Sequence, residues 1–305
     1  MKPRTKKVLK HPGNILAIVV ARTCTFLNDE TFTKIVYFLR MRRRLNLANP
    51  QTYNEKLNWL KLNYHCHEHT MLVDKVRVKD FVRQKIGEEH VIPTLGVWKS
   101  FDEIDFDKLP NQFVLKCNHD SGGLVICKDK SKLDVAHTRK IITKSLRTDF
   151  YKKGKEWPYK NVPRLILAEK YMEDETGELR DFKFFCFNGK VKALFVATER
   201  QNNCNEDVKF DFFDEEFNHL QLRQGHPNAK IPPSKPSHFE DMVQLAEKLS
   251  VGIPHVRVDF YNINGCVYFG EMTFFHHGGW TRFEPNEWDY KFGSWLTLPS
   301  PRMDS

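Results

Sequence analysis

Two stretches constrain the fold of this chain more than any others. DFKFFCFNGKVKALFVATE (181–199) and VRVDFYNINGCVYFGEMTF (256–274) each set Asn-Gly between apolar runs rich in aromatic and β-branched residues. Asn and Gly tolerate the positive φ that a tight hairpin turn demands, so both stretches predict β-hairpins. VIPTLGVW, QFVLKCN and LILAEKYM add short apolar strands bounded by Pro or Asn. Helical spacing marks TYNEKLNWLKLNY, where Thr52 and Glu55 form a capping-box pattern. It also marks one continuous helix through MLVDKVRVKDFVRQKIG, stopped by Gly87, and further helices in LDVAHTRKIITKSLRTDFY and FEDMVQLAEKLSVG. Strands and helices intermixed with long hairpins predict an α+β fold, not a doubly wound sheet.

Bulk properties exclude other classes. At 305 residues the chain can bury a sizeable core, and 29% charged residues are too few for wholesale disorder. The seven cysteines show no CxxC pair and no framework spacing, which points to a reducing cytoplasm. The apolar run Ile15–Val20 is too short to span a bilayer. The net charge of +9 is concentrated near the start, in KPRTKK and RMRRR, so the core needs no nucleic acid partner. Residues 1–48 read as a basic helical leader of two helices, and 49–305 as the catalytic domain, with the boundary at Asn49-Pro50. The leader either packs on the main domain or rests peripherally on the inner membrane.

The second hairpin carries the most chemistry. Arg257 and Asp259 share one face of its first strand, and Glu271 and Thr273 share one face of its second. If the turn pairs the strands in register, Asp259 and Glu271 converge beside Arg257. Two converging carboxylates suit magnesium, which takes oxygen ligands and bridges to phosphates. A solvated hairpin with its charges facing water is the alternative. In FVLKCNHDSGG a strand ends at Lys116 and a polar turn leads to Ser121-Gly122-Gly123, whose backbone N–H groups could approach phosphate. A plain hairpin fits that spacing as well. HCHEH (65–69) reads as a solvated interhelical loop, since one contiguous run rarely closes a zinc site. His276-His277 either touches substrate or forms a surface turn. Arg200 and Arg282 are candidates for clamping a substrate carboxylate.

In order, the segments NPQTYNEKLNWLKL, VDKVRVKDFV, VIPTLGVW, LPNQFVLKCNHDSGG, LILAEKYMED, DFKFFCFNGK and VRVDFYNINGCVYFGEMTF resemble the ATP-grasp superfamily, most closely its TupA-like branch. That branch is associated with bacterial surface polysaccharide and teichuronopeptide assembly. The resemblance spans about residues 49 to 298. It implies two α+β subdomains clasping ATP, with Lys75 and Lys116 on the phosphates and Ser121 to Gly123 as the loop closing over them. It places Glu169, Lys170, Tyr171 and Met172 at adenine, Asp181 near ribose and Lys183 among the ATP contacts. Asp259, Glu271 and, less typically, Thr273 would hold Mg2+, where many relatives carry Asn at the third position. Arg257 would stabilise the reacting carboxylate, with Lys116 also assisting catalysis. The implied activity is ADP-forming carboxylate–amine ligation through an acyl phosphate, on a sugar acid or amino acid of surface polysaccharide. A sugar-hydroxyl kinase on the same fold, or a glycosyltransferase, remains open.

Overall fold

The computed structural model describes residues 12–174, 179–199 and 208–304. Helices α1 (Pro12–Thr23) and α2 (Asp29–Met41) form a hairpin, and α3 (Tyr53–Asn63) follows. The α3 capping box forms as expected: Glu55 N–H donates to Thr52 Oγ1, and Thr52 N–H to Glu55 Oε2. Next come α4 (Glu68–Val73) and α5 (Val78–Ile86), then α6 (Val135–Leu146), α7 (Phe239–Ser250) and α8 (Glu287–Trp295).

The expected single helix over 71–87 is therefore two. Asp74 accepts from Val76 N–H at 2.9 Å and from Asn118 Nδ2 at 2.8 Å. An Asp that bonds its own downstream backbone offers the chain a turn in place of a helix. Lys75 sits in the resulting break.

Four antiparallel strands, β1 (Thr94–Trp98), β2 (Phe113–Cys117), β3 (Leu124–Cys127) and β4 (Ile166–Lys170), form a sheet in the order β1-β4-β2-β3. Its buried face packs Phe113, Leu115, Ile166 and Ala168 against Ile142 of α6. Six more strands, β5 (Asp181–Phe187), β6 (Lys190–Thr198), β7 (Lys209–Phe213), β8 (His219–Leu220), β9 (His255–Ile263) and β10 (Cys266–Thr273), form a second antiparallel sheet in the order β10-β9-β5-β6-β7-β8. Both Asn-Gly turns form: Asn188, Gly189, Asn264 and Gly265 all have positive φ.

The near-continuous apolar run of β5 follows from burial on both faces. Phe184 meets Phe239 of α7 at 6.0 Å on one side. Phe185, on the other, packs edge-on to Tyr53 of α3 and Phe292 of α8. Lys183 is the one charged residue inside that run.

The leader hairpin shares a small core with the body, in which Phe32, Val36 and Tyr37 pack with Trp280. Arg43 bonds Asp289 at 2.5 Å and Tyr151 bonds Asp29 at 2.6 Å. Among the described residues, no helix is long and apolar enough to cross a membrane.

Candidate active site

A cleft of about 310 Å³ lies between the two sheets. One part is apolar, lined by Ile92, Val114, Leu124, Ile126, Tyr171, Met172 and Leu179. The other is charged, lined by Lys75, Lys116, Asp120, Glu169, Asp181, Lys183 and Glu271. Ser121, Gly123 and Lys170 complete the set of expected residues that line it.

The charged side is built on strand register. Glu271 on β10, Asp259 on β9 and Lys183 on β5 stand opposite one another in a row. Thr273 and Arg257 form the adjacent row, two residues along. Asp259 and Glu271 do stand opposite each other, but through a shift of register and not through the pairing that the turn alone would set. Gly270 is the extra residue of the bulge that makes this shift, and a side chain there would crowd the Asp259 carbonyl at 3.1 Å.

Arg257 joins the rows. Its Nε and Nη2 donate to the two Asp259 oxygens at 2.6 and 2.7 Å, a bidentate pair. Nη2 also reaches Thr273 Oγ1 at 2.9 Å and Glu271 Oε1 at 3.2 Å. Lys183 Nζ donates to Asp259 Oδ2 and lies 2.6 Å from Asp181 Oδ2. Burial pushes the Asp259 carboxyl up from its ordinary value, and Arg257 and Lys183 draw it back. For Glu271 burial is outweighed: Lys75, Lys183, Arg257 and Lys116 together hold its carboxyl at about 2. Glu271 is therefore an anion at any physiological pH, and it keeps 37% of its side chain open.

This donor set fits a hard divalent cation. Two carboxylates and a hydroxyl converge on one sheet face, and Glu271 is ionised and open to the cleft. Asp259 would have to yield its Lys183 contact to such an ion. Thr273 is the least available donor, because its oxygen already serves Arg257 and Glu271.

Lys75 donates to the Asp120 carbonyl at 2.8 Å and stands 3.8 Å from Glu271. Lys116 pairs with Glu169 at 2.5 Å. Glu169 also takes Lys79 at 2.7 Å, and the two lysines hold its carboxyl below the ordinary value despite burial. The Glu169 side chain thus anchors lysines, and only the start of the expected adenine segment is committed this way. Ser121 and Gly122 are exposed, in the connection of the β2–β3 hairpin. Gly123 is buried, and a Cβ there would lie 2.2 Å from Ser145 Oγ, so it is a packing glycine.

Two residues, Lys79 and Gln224, escaped the sequence reading, and a third, His276, is placed otherwise than as a surface turn. Lys79 spends its donors on Glu169, the Ile92 carbonyl and Thr94 Oγ1. His276 is buried, not a surface turn: its Nδ1 accepts from Arg257 Nη1 at 2.7 Å, so its Nε2–H donates to Gln224 Oε1 at 3.1 Å. Burial and the neighbouring cations keep this imidazole neutral. His276 was at least visible as part of a His-His pair, whereas nothing in the sequence marks Gln224. HCHEH is not a solvated loop either. Cys66 and His69 are buried, and His69 stacks on Phe274 at 4.0 Å. Arg282 donates to the Arg40 carbonyl of the leader and does not line the cleft, and Arg200 lies outside the described residues.

An α+β body with a two-sheet cleft, lysines on one wall and an arginine-bridged carboxylate pair on the other, defines the class. The chain belongs to the TupA-like ATPgrasp family, whose model matches residues 55–297. No curated protein matches it. Similar solved structures include D-alanine–D-alanine ligase from Bacillus anthracis complexed with ATP: 14% identity, TM-score 0.40, 72% of this chain and 55% of that one. The ATP-grasp ligase PsnB with its minimal precursor gives 8% identity and TM-score 0.41 over 80% and 63%. D-alanine–D-alanine ligase from Helicobacter pylori gives 12% and 0.41 over 80% and 69%. The chain spans little more than half the length of the first of these.

Proposed function

We propose that this protein is an ADP-forming, ATP-dependent carboxylate–amine ligase. The observation that supports it best is the cross-strand pair Asp259 and Glu271, bridged by Arg257 and flanked by Lys183 in the same row, with Lys75 and Lys116 lining the same cleft. The family of the chain is the second support.

The apolar wall of Ile92, Val114, Ile126 and Met172 suits an adenine ring, and the lysine wall suits a triphosphate. Asp181, which also lines the cleft, is the residue we assign to the ribose hydroxyls. Mg2+ held by Asp259 and Glu271, with Thr273 as the weakest candidate ligand, would neutralise phosphate charge in transfer. Lys75 and Lys116 position the γ-phosphoryl group and take up its developing charge. Arg257, locked by Asp259 and His276, holds the acceptor carboxylate in line and stabilises the acyl phosphate. An amine then attacks, and phosphate leaves. The arrangement needs no covalent protein nucleophile.

The substrates we assign are a small sugar acid or amino acid and an amine, free or on a polysaccharide, within bacterial surface-polysaccharide assembly, in the cytoplasm. A thermal-shift screen tests the nucleotide: ATP with magnesium raises the melting temperature of the wild type but not of Asp259→Asn. Stabilisation by nucleotide sugars alone overturns the reading. Coupled assays test the reaction: ADP release that needs both carboxylate and amine supports ligation. ADP release with a hydroxyl acceptor alone makes the protein a kinase.

A further inference from the structure

The leader carries an unusual surface. Helix α1 is apolar nearly all round. Ala17, Val20 and Ala21 turn inward, while Ile15, Leu16 and Val19 lie exposed on the outside. On α2 the outer face presents Ile35 and Phe38, again exposed, and Phe26 at the tip of the hairpin is 81% exposed. These positions recur at helical spacing, so each helix of the hairpin offers an exposed apolar stripe. A helix that is apolar on both sides needs a second apolar surface against its outer one.

Charge says what that surface is. Residues 1–48 contain eleven Lys and Arg against two Asp and Glu, a net +9. That equals the net charge of the whole protein, so residues 49–305 sum to zero. Both leader acids are neutralised locally: Glu30 by Lys34 at 2.5 Å, and Asp29 by Lys155 at 3.3 Å. Arg22, Arg42 and Arg44 are exposed around the apolar stripes. Five further cations lie in residues 2–10, directly before α1 in sequence.

We propose that the α1–α2 hairpin sets its outer face onto an anionic lipid bilayer as a peripheral anchor. Apolar side chains enter the headgroup boundary while the flanking cations meet lipid phosphates, which is how in-plane helices bind. A second copy of the chain is the poorer occupant, since two surfaces of this charge repel. Nucleic acid would leave the apolar stripes exposed. The anchor is rigidly joined to the enzyme: Phe32 packs on Trp280 at 6.3 Å, a few residues from His276, which holds Arg257. Docking would therefore present the Arg257 side of the cleft in a fixed relation to the membrane.

Flotation of the full-length protein tests this, using vesicles of phosphatidylcholine alone or with one-third phosphatidylglycerol. Binding is expected only to the anionic vesicles and should weaken in high salt. Leu16→Ser, Val19→Ser and Phe38→Ser combined should weaken it at least roughly 10-fold. Arg42→Gln with Arg44→Gln should weaken it by roughly 30-fold, at about 1 kcal/mol per cation. Because these side chains are exposed, the melting temperature and its shift by ATP stay as in the wild type, which separates loss of anchoring from misfolding. Four outcomes overturn the proposal: no binding to anionic vesicles; binding that the serine variant leaves unchanged; an oligomer that the serine variant dissolves; or nucleic-acid binding as tight as vesicle binding.

Discussion

Replacing Glu169 with glutamine keeps the shape of the cleft wall and removes one charge. The side chain is buried and makes ion pairs of 2.7 Å with Lys79 and 2.5 Å with Lys116. Removing one partner of a buried pair costs about 3–5 kcal/mol, because the remaining charge is stranded. Three features place this case at the lower end. Lys79 keeps the Ile92 carbonyl and Thr94 hydroxyl, Lys116 can turn into the open cleft, and glutamine still accepts one hydrogen bond. A loss of about 3 kcal/mol, set against an unfolding entropy of roughly 0.6 kcal/mol/K for a chain of this size, lowers the melting temperature by about 5 °C. ATP with magnesium should act in the opposite direction. In the wild type Lys116 must leave Glu169 to meet a phosphate, and in Glu169→Gln it is already released. The stabilisation by saturating ATP should therefore be larger in the variant and close at least half of the gap. Thermal unfolding with and without ATP reads both effects. A melting temperature within about 1 °C of wild type would show that the two ion pairs do not hold this wall. An ATP shift no larger than that of wild type would show that Lys116 does not face phosphate.

Asp259→Asn should abolish the thermal shift by ATP with magnesium and lower turnover on the order of 100-fold or more, measured as ADP release. His276→Phe deprives Arg257 of one acceptor. A hydrogen bond to a charged group is worth about 1.5–3 kcal/mol, so kcat should fall roughly 10- to 100-fold with the KM for ATP unchanged, and His276→Asn should restore part of it. Gly123→Ala should cost about 1–3 kcal/mol by crowding Ser145, whereas Gly122→Ala should leave stability unchanged in urea unfolding. His69 and His255 are held at about 3 by burial, and burial also holds His276 well below its ordinary value. All three folded values lie below the unfolded one, so the unfolded chain binds more protons between about pH 3 and 6.5. Stability is intact above that range and falls on acidification, by up to about 4 kcal/mol per pH unit near pH 5. Denaturant titrations at pH 7, 6 and 5 that give equal stabilities would contradict this.

Much of the molecule could be read directly from the chain, because its signals are local. Asn-Gly fixes a turn wherever it lies between apolar runs, but that turn alone would set Asp259 opposite Gly270, and only the bulge at Gly270 brings Glu271 to it. The capping box of Thr52 and Glu55 is likewise complete within four residues. Ordered motifs were enough for the family, and most of the expected site residues do line one cleft.

Tertiary structure decided what depends on residues distant in sequence. Helical spacing runs unbroken through Asp74, yet the bond from Asn118, a residue of the other sheet's margin, favours the turn that sets Lys75 at the cleft. The same holds for Glu169: its place between Lys79 and Lys116 exists only once α5, β2 and β4 meet. His276 and Gln224 meet Arg257 through the packing of a loop that no local pattern encodes. HCHEH read as a solvated loop because its residues are polar. It is partly buried because Trp157 and Phe274 supply aromatic faces against which neutral imidazoles stack. A sequence reports which groups a site contains, and packing determines which of them are neutralised, shielded or free to meet a ligand.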